Sequence, residues 1–350
     1  MPLDQLRALR LFHAANLPHL LYVRCVGVFT RLGDADLADI TEAFELGDVS
    51  SFATIPAGTI NSNFAIETNR GRWFVRINEG KSEVDVAWEA RLIGELSAGG
   101  VVAPAPIAAR DGRPYAPLAS ARGKWVSVFP WRSGTHLAPS EVTADRASDL
   151  GAALAQLHIV GRDLPASWRR GTIYDHDHLA GRYKRFEDVL DPQLARAIEV
   201  IGEELAVGSR AHAVRARATT GIIHGDLFRD NVLWQNGRLV AILDFEQASG
   251  GSLAYDIAVC INDWCWVDGA PRFDLVSALV QGYQTRRPLP DGDRTALPIE
   301  VRAAAMRFTI TRITDVYLAR VDNRDKDFRA FLARSEAWRG PALGQLTALL

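Results

Sequence analysis

Three polar side chains, Asp226, Asn231 and Asp244, interrupt a stretch that otherwise reads as buried strand, GIIHGDLFRDNVLWQNGRLVAILDFEQA, residues 221–248. Burying a carboxylate is costly unless it is paired or binds a metal, so two carboxylates and an amide here ask for a chemical reason. Asn236-Gly237 supplies the geometry. Asn-Gly is a strong hairpin signal because a type I′ turn needs positive φ at both central residues. A two-residue loop pairs Gln235 with Arg238 and Trp234 with Leu239, and by continuation sets Asn231 opposite Ile242. Asp244 then lies on the same face as Ile242 and is a diagonal neighbour of Asn231, at about 7–8 Å between backbone positions. An amide oxygen with a carboxylate suits Mg2+, which takes one or two carboxylates and completes its shell with water and phosphate. Asp226, five residues before Asn231, is placed to meet a hydroxyl beside that ion. A metal at phosphate oxygens with a carboxylate at the attacking hydroxyl is the equipment of phosphoryl transfer.

The elements that must hold these residues follow from periodicity. Residues 52–78 alternate apolar and polar and read as three strands, with turns at 57–63 and 69–71. A helix is expected over 83–98, where Val84, Trp88, Leu92 and Leu96 recur at i+4. Gly99-Gly100 stops it, and Pro104 and Pro106 prevent resumption. Residues 107–109 and 124–130 read as two further strands, and Pro130 to Gly134 as a hinge. Beyond it the pattern turns helical, with helices expected at 143–160, 176–207, 252–266, 272–285, 298–321 and 325–339. The expected α+β organisation is therefore a small β-rich N-lobe over residues 26–132 and a larger, mainly helical C-lobe over 133–350.

Composition sets the outer bounds. The 350 residues suffice for about two domains. A net charge of −2 gives no basic footprint, so no nucleic-acid partner is expected. Cys25, Cys260 and Cys265 form no CxxC pair, which fits free thiols in the cytoplasm. No apolar run approaches the ~18 residues that would span a membrane. The N-terminal 25 residues lack a compact apolar core and a cleavage site, and are expected to stand as an extension outside the fold.

HGDLFRDN and DFE resemble the catalytic and metal-binding loops of the aminoglycoside phosphotransferase and choline kinase superfamily. Within it, VFTRLGDADLADITEAFELGD, GTINSNFAIET, LHIVGRDLP, HGDLFRDNVLW and YDIAVCINDWCW are each similar, in order, to the homoserine kinase family of that fold. The resemblance implies a bilobal, protein-kinase-like fold and ATP-dependent phosphorylation of L-homoserine to O-phospho-L-homoserine, a step toward threonine. It makes Asp226 the base and Asn231 and Asp244 the Mg2+ ligands. Gly58, Asn61, Ser62 and Asn63 would form the turn over the ATP phosphates. Arg76 stands where kinases usually carry a strand lysine, and Glu89 is its expected partner. A guanidinium there can grip phosphate bidentately. Asp256 is expected to brace the catalytic loop, and Arg229 to touch the transferred phosphate.

Homoserine brings a carboxylate, an ammonium and the reacting hydroxyl. Asp263, with Trp264 beside it, is the candidate for the ammonium, and Arg307 and Arg312 are candidates for the carboxylate; Arg312 with Asp315 as a surface i,i+3 pair is the plainer reading. Two other kinds of function stay open on the residues alone: a kinase of an aminoglycoside, choline or hydroxylysine, and a non-catalytic ATP-binding module. The oligomeric state is not legible. His224 reads as a packing residue. Gly80-Lys81-Ser82 mimics a P-loop, but the glycine that motif needs is Val75. Asp175-His176-Asp177-His178 reads as a solvated helix start in preference to a metal site.

Overall fold

The computed structural model describes residues 29–56, 60–321 and 323–350, so the expected extension over residues 1–25 and the turn glycine Gly58 lie outside the described residues. Helix α1 (Asp34–Ala43) precedes strands β1 (Val49–Ile55), β2 (Ser62–Thr68) and β3 (Gly71–Asn78). Helix α2 (Glu83–Ala98) follows, and short β4 (Ala116–Pro117) and β5 (Trp125–Pro130) complete an antiparallel sheet of order β1-β2-β3-β5-β4. The expected strand at 107–109 does not form. Ile107 N–H donates to Val128 O at 2.8 Å, but Ala109 N–H turns to Arg113 O, and the fifth strand is β4 instead.

Apolar alternation puts Phe64, Ile66, Val75, Ile77, Val126 and Val128 into one core, joined by Ile40 of α1 and by Phe44 just after it. Helix α2 has the bounds its periodicity sets, and Ser82 caps it by accepting from Asp85 N–H. Its Leu92, Ile93 and Leu96 join the larger core of the helical region, with Leu150, Leu154 and Ile257.

The helical region holds α3 (Ala144–Asp163), α4 (His176–Tyr183), α5 (Ala195–Arg210) and the single turn α6 (His212–Arg215). The one helix expected over 176–207 is broken between Tyr183 and Ala195, where Asp191-Pro192 disfavours helical backbone. Then come β6 (Thr220–Ile223), the hairpin β7 (Val232–Gln235) and β8 (Arg238–Ile242), and β9 (Ser249–Ser252), which pairs with β6. Helix α7 (Leu253–Trp264) leads through the two-residue strands β10 (Trp266–Val267) and β11 (Ala270–Pro271) to α8 (Phe273–Gln284), α9 (Asp291–Arg312), α10 (Phe328–Ala337) and α11 (Pro341–Leu349). Helix α9 starts seven residues earlier than expected and carries Pro298 inside it. Among the described residues no helix is long and apolar enough to cross a membrane.

Candidate active site

The loop after β6 is held from below by one buried carboxylate. Asp256, on the first turn of α7 and fully buried, accepts from His224 N–H at 2.6 Å and Gly225 N–H at 2.7 Å, and meets His158 Nε2 at 3.1 Å. Burial alone would raise its pKa, but the hydrogen bonds and the His158 and His224 rings hold the carboxyl below its ordinary value. Gly225 has φ +78°, and a Cβ there would lie 3.0 Å from Gln247 O, so the chain can turn at this point only without a side chain. His224 packs on Phe245 and bonds Leu243 O through Nε2 at 2.9 Å, which ties the loop to the segment carrying Asp244.

Asn236 and Gly237 both have positive φ, as the turn requires, but the hairpin register needs correction. Gln235 pairs with Arg238 and Trp234 with Leu239, after which a bulge moves Leu233 opposite Ala241 and Val232 opposite Ile242. Asn231 therefore stands opposite Leu243, whose N–H donates to Asn231 O at 2.8 Å. Asp244 comes next and adopts left-handed backbone, φ +61°. The two residues are still adjacent, through this kink and not through the pleat. Asn231 Nδ2 donates to Asp226 O at 2.8 Å, so its amide oxygen is the atom left for a cation.

Asp226 faces a buried arginine. Arg307 Nη1 donates to Asp226 Oδ1 at 3.2 Å and to Gly225 O at 3.3 Å. Its guanidinium lies 4.0 Å from the Tyr174 ring and 3.9 Å from the Phe308 ring. Arg307 thus fixes Asp226 and is not open to receive a carboxylate, which corrects its expected role.

On the sheet side, Arg76 Nη2 donates to Glu89 Oε1 at 2.7 Å, the pair expected from sequence, and its Nη1 lies 3.9 Å from Asp244 Oδ1. Lys81 Nζ joins them, 2.9 Å from Glu89 and 3.1 Å from Glu246. Glu246 also accepts from Asn61 Nδ2 at 3.0 Å. The flanking walls and the Glu246 carboxylate raise the Asp244 pKa above the ordinary carboxylate range, although solvent still reaches 42% of its side chain. Ser62 is fully buried: its hydroxyl donates to Glu79 and accepts from the N–H groups of Phe29 and Thr30. Ser62 anchors β2 and leaves no hydroxyl for a phosphate, a second correction. Asn63 is likewise buried, opposite Arg76 in the sheet.

Burial would raise the Glu89 pKa, yet Arg76 and Lys81 lower it from 4.5 to about 2. A depressed carboxylate contributes stability above its unfolded pKa and loses it as the pH falls through the folded one. That drop corresponds to on the order of 3 kcal/mol. The melting-temperature gap between Glu89→Gln and the parent should therefore be full at neutral pH and shrink as the pH falls from 4.5 to about 2. A gap that is unchanged down to the lower limit would show that the pairing does not set it.

At the opposite edge, Asp263 accepts from Arg229 three times: from N–H at 2.8 Å, Nε at 3.0 Å and Nη2 at 3.1 Å. Its carboxylate is thus taken, against the expectation of an ammonium partner, and Arg229 is held there instead of reaching for a phosphate. Trp264 is fully buried and donates Nε1–H to Leu227 O at 2.9 Å, bracing the loop without lining a pocket. Arg312 makes no pair with Asp315, which binds Arg182 at 2.8 Å.

Sequence reasoning missed Lys81 and Glu246. Lys81 stands in the P-loop look-alike set aside above, and the visible signal for Glu246 was a second carboxylate in DFE where a glycine would be neutral. Asp175 caps α4 by accepting from His178 N–H at 2.9 Å, and among the described residues no three His, Cys, Asp or Glu side chains group to hold a metal.

Comparison with known proteins shows the family and the fold. Residues 51–289 match the model of the phosphotransferase enzyme family. The homoserine kinase of Methylobacterium radiotolerans is 34% identical over 302 residues, covering 83% of this chain and 88% of that one. That of Gluconacetobacter diazotrophicus is 33% identical over 296 residues, covering 83% and 89%. Among solved structures, an amicoumacin kinase superposes with a TM-score of 0.69 at 16% identity, covering 87% of this chain and 92% of that chain. A microcompartment-associated aminopropanol kinase superposes at 0.62 with 22% identity, covering 87% and 95%. These two share the fold. Matched by the family model over most of its length and by homoserine kinases at about a third of the aligned positions, the chain belongs to the phosphotransferase enzyme family, alongside its homoserine kinases.

Proposed function

We propose that the protein transfers the γ-phosphoryl group of ATP to the side-chain hydroxyl of L-homoserine, giving O-phospho-L-homoserine for threonine synthesis in the cytoplasm. The observation that carries the reading is the chain of contacts that gathers Asp226, Asn231 and Asp244 at the hairpin ends: Asn231 Nδ2 donates to Asp226 O at 2.8 Å, and Leu243 N–H, next to Asp244, donates to Asn231 O at 2.8 Å. Asp226 is fixed by Arg307 and braced through Asp256, and Asn231 and Asp244 close the hairpin beside Arg76. The homoserine kinases that match over more than four-fifths of the chain supply the acceptor.

In this reading residues 26–132 hold the nucleotide and 133–350 the acceptor, with adenine against Phe129–Trp131. Asp226 Oδ2 accepts the hydroxyl hydrogen bond and takes the proton as the oxygen attacks, while Arg307 keeps Oδ1 in place. Arg76 and Lys81, already oriented by Glu89, meet phosphate oxygens. The donor set fits a hard divalent cation: Asn231 offers an amide oxygen because its nitrogen is occupied, and Asp244 a carboxylate crowded by Glu246. Mg2+ bound there would neutralise charge on the phosphates.

The test is ADP release from Mg·ATP with L-homoserine, choline, 5-hydroxylysine and kanamycin in parallel. A strong preference for L-homoserine is expected. Turnover of another acceptor with none on homoserine would overturn the assignment, and binding of ATP without transfer to any of them would favour a binding module.

A further inference from the structure

Two guanidinium groups lie on one aromatic ring beside the loop that carries Asp226. Arg312, the last residue of α9, places its Cζ 4.4 Å from the centroid of Phe331, and Arg334 of α10 places its own 4.2 Å from the same centroid. Phe331 is itself buried and stacks in parallel on Phe228, two residues after Asp226, at 5.7 Å. The ring thus fixes both cations relative to the catalytic loop.

Their hydrogen bonds go to backbone only: Arg312 Nη1 to Asp327 O at 3.0 Å and Arg334 Nη1 to Ala330 O at 3.1 Å. Among the described residues neither forms an ion pair, and the carboxylate whose charge most supports both, Asp263, is occupied by Arg229. Arg334 is only 9% exposed, and its Nε has no hydrogen-bond partner. Burial lowers the pKa of both groups, that of Arg334 to about 10, with Asp263 only partly offsetting it. Two like charges drawn out of water without an anion are unfavourable, and a planar fork with open donors fits a carboxylate bidentately. Every other buried arginine near the loop already has its acid: Arg307 has Asp226 and Arg76 has Glu89.

We infer that Arg312 and Arg334, held on Phe331, form the receptor for the carboxylate of the phosphoryl acceptor. The inference rests on the amino-acid kinase reading above and assigns the end of the substrate opposite the reacting hydroxyl. Asp263 then acts as a positioning residue that holds Arg229 away from the two open guanidiniums.

The experiment compares L-homoserine with 3-aminopropan-1-ol, which keeps the hydroxyl and ammonium and lacks the carboxylate, in the parent, Arg334→Gln and Arg312→Gln. The parent should prefer homoserine by about 100-fold or more in kcat/KM, and either variant should raise the homoserine KM by about 50-fold, leave the ATP KM in place and collapse that preference. Arg312 is the less buried of the two, so its variant carries the test if Arg334→Gln does not fold. Parent-like homoserine KM in the folded variants, or an equal rise in the ATP KM, overturns the carboxylate receptor and leaves the homoserine kinase reading standing. A parent that turns over neither compound, or that uses both equally, overturns the receptor; inertness toward homoserine overturns the reading with it.

Discussion

Asp226→Asn should lower kcat by about 1,000-fold, within the range that a positioned general base contributes, with nucleotide affinity unchanged. The substitution keeps the shape of the side chain and an oxygen for Arg307 Nη1, and it leaves the loop's main supports in place, because Asp256 binds His224 and Gly225 through backbone N–H groups. What it removes is the negative charge and the ability to accept the hydroxyl proton. It also leaves Arg307, 3% exposed, without its counter-charge, and an unpaired buried cation destabilises. Arg307 keeps its bond to Gly225 O and its two ring contacts, so the melting temperature should fall by a few degrees without loss of the fold. Turnover and nucleotide binding are to be measured on the same preparation. If the variant turns over within ten-fold of the parent, Asp226 is not the base. If nucleotide affinity falls in step with kcat, the residue supports the cleft and not the chemistry.

How far the sequence reaches is clearest at the hairpin. The Asn236-Gly237 turn and its first two pairs follow from local backbone preference, and those are found. The register then slips because Trp234 also forms a bridge to Thr135, with both N–H···O bonds at 2.9 Å. That partner lies 99 residues away, and no local rule contains it. The adjacency of Asn231 and Asp244, the proposed cation ligands, was nonetheless legible, since they stand at the two hairpin ends whatever the register between them. The Arg76–Glu89 pair was legible for a similar reason: a strand and the helix that follows it offer one charge each toward a common interior.

The acceptor side was less legible, and the reason is reach. An arginine side chain can meet any of several carboxylates, and the choice is made by contacts distant in the chain. Arg229 takes Asp263, 34 residues on, and Arg307 takes Asp226, 81 residues back. Once these pairs close, the two guanidiniums on Phe331 are left without an ion pair among the described residues: Arg312, named from the sequence, and Arg334, which no motif marked. The same logic separates Lys81 from its P-loop look-alike: Glu89 and Glu246 give it a place in the cleft that its neighbours Gly80 and Ser82 do not reveal.

Asp244→Asn is the second substitution with a large expected effect, and the backbone makes it a clean one. Asp244 has φ +61°, a conformation that Asn tolerates and Ala does not without about 1–2 kcal/mol of strain. The variant should therefore fold, and it keeps an oxygen at the same position. It loses the charge that a divalent cation needs when the other protein ligand is a neutral amide, so kcat should fall by about 1,000-fold and Mg2+ should cease to tighten ATP binding. Stability should move the other way. The raised pKa of Asp244 means that its ionised form is less favoured in the folded chain than in the unfolded one, above all for its enclosure and for its proximity to Glu246. At neutral pH the parent must take up a proton at Asp244 or ionise it unfavourably as it folds, whereas the amide does neither, and the metal-free variant should melt above the metal-free parent. Added Mg2+ with ATP should then raise the melting temperature of the parent and leave the variant almost unmoved. A variant that still gains stability from Mg2+ and ATP to the parent's extent would place the cation elsewhere. One that melts below the metal-free parent would mean that the Arg76 guanidinium 3.9 Å away outweighs Glu246, and that Asp244 is held in the cleft by a pair and not strained within it.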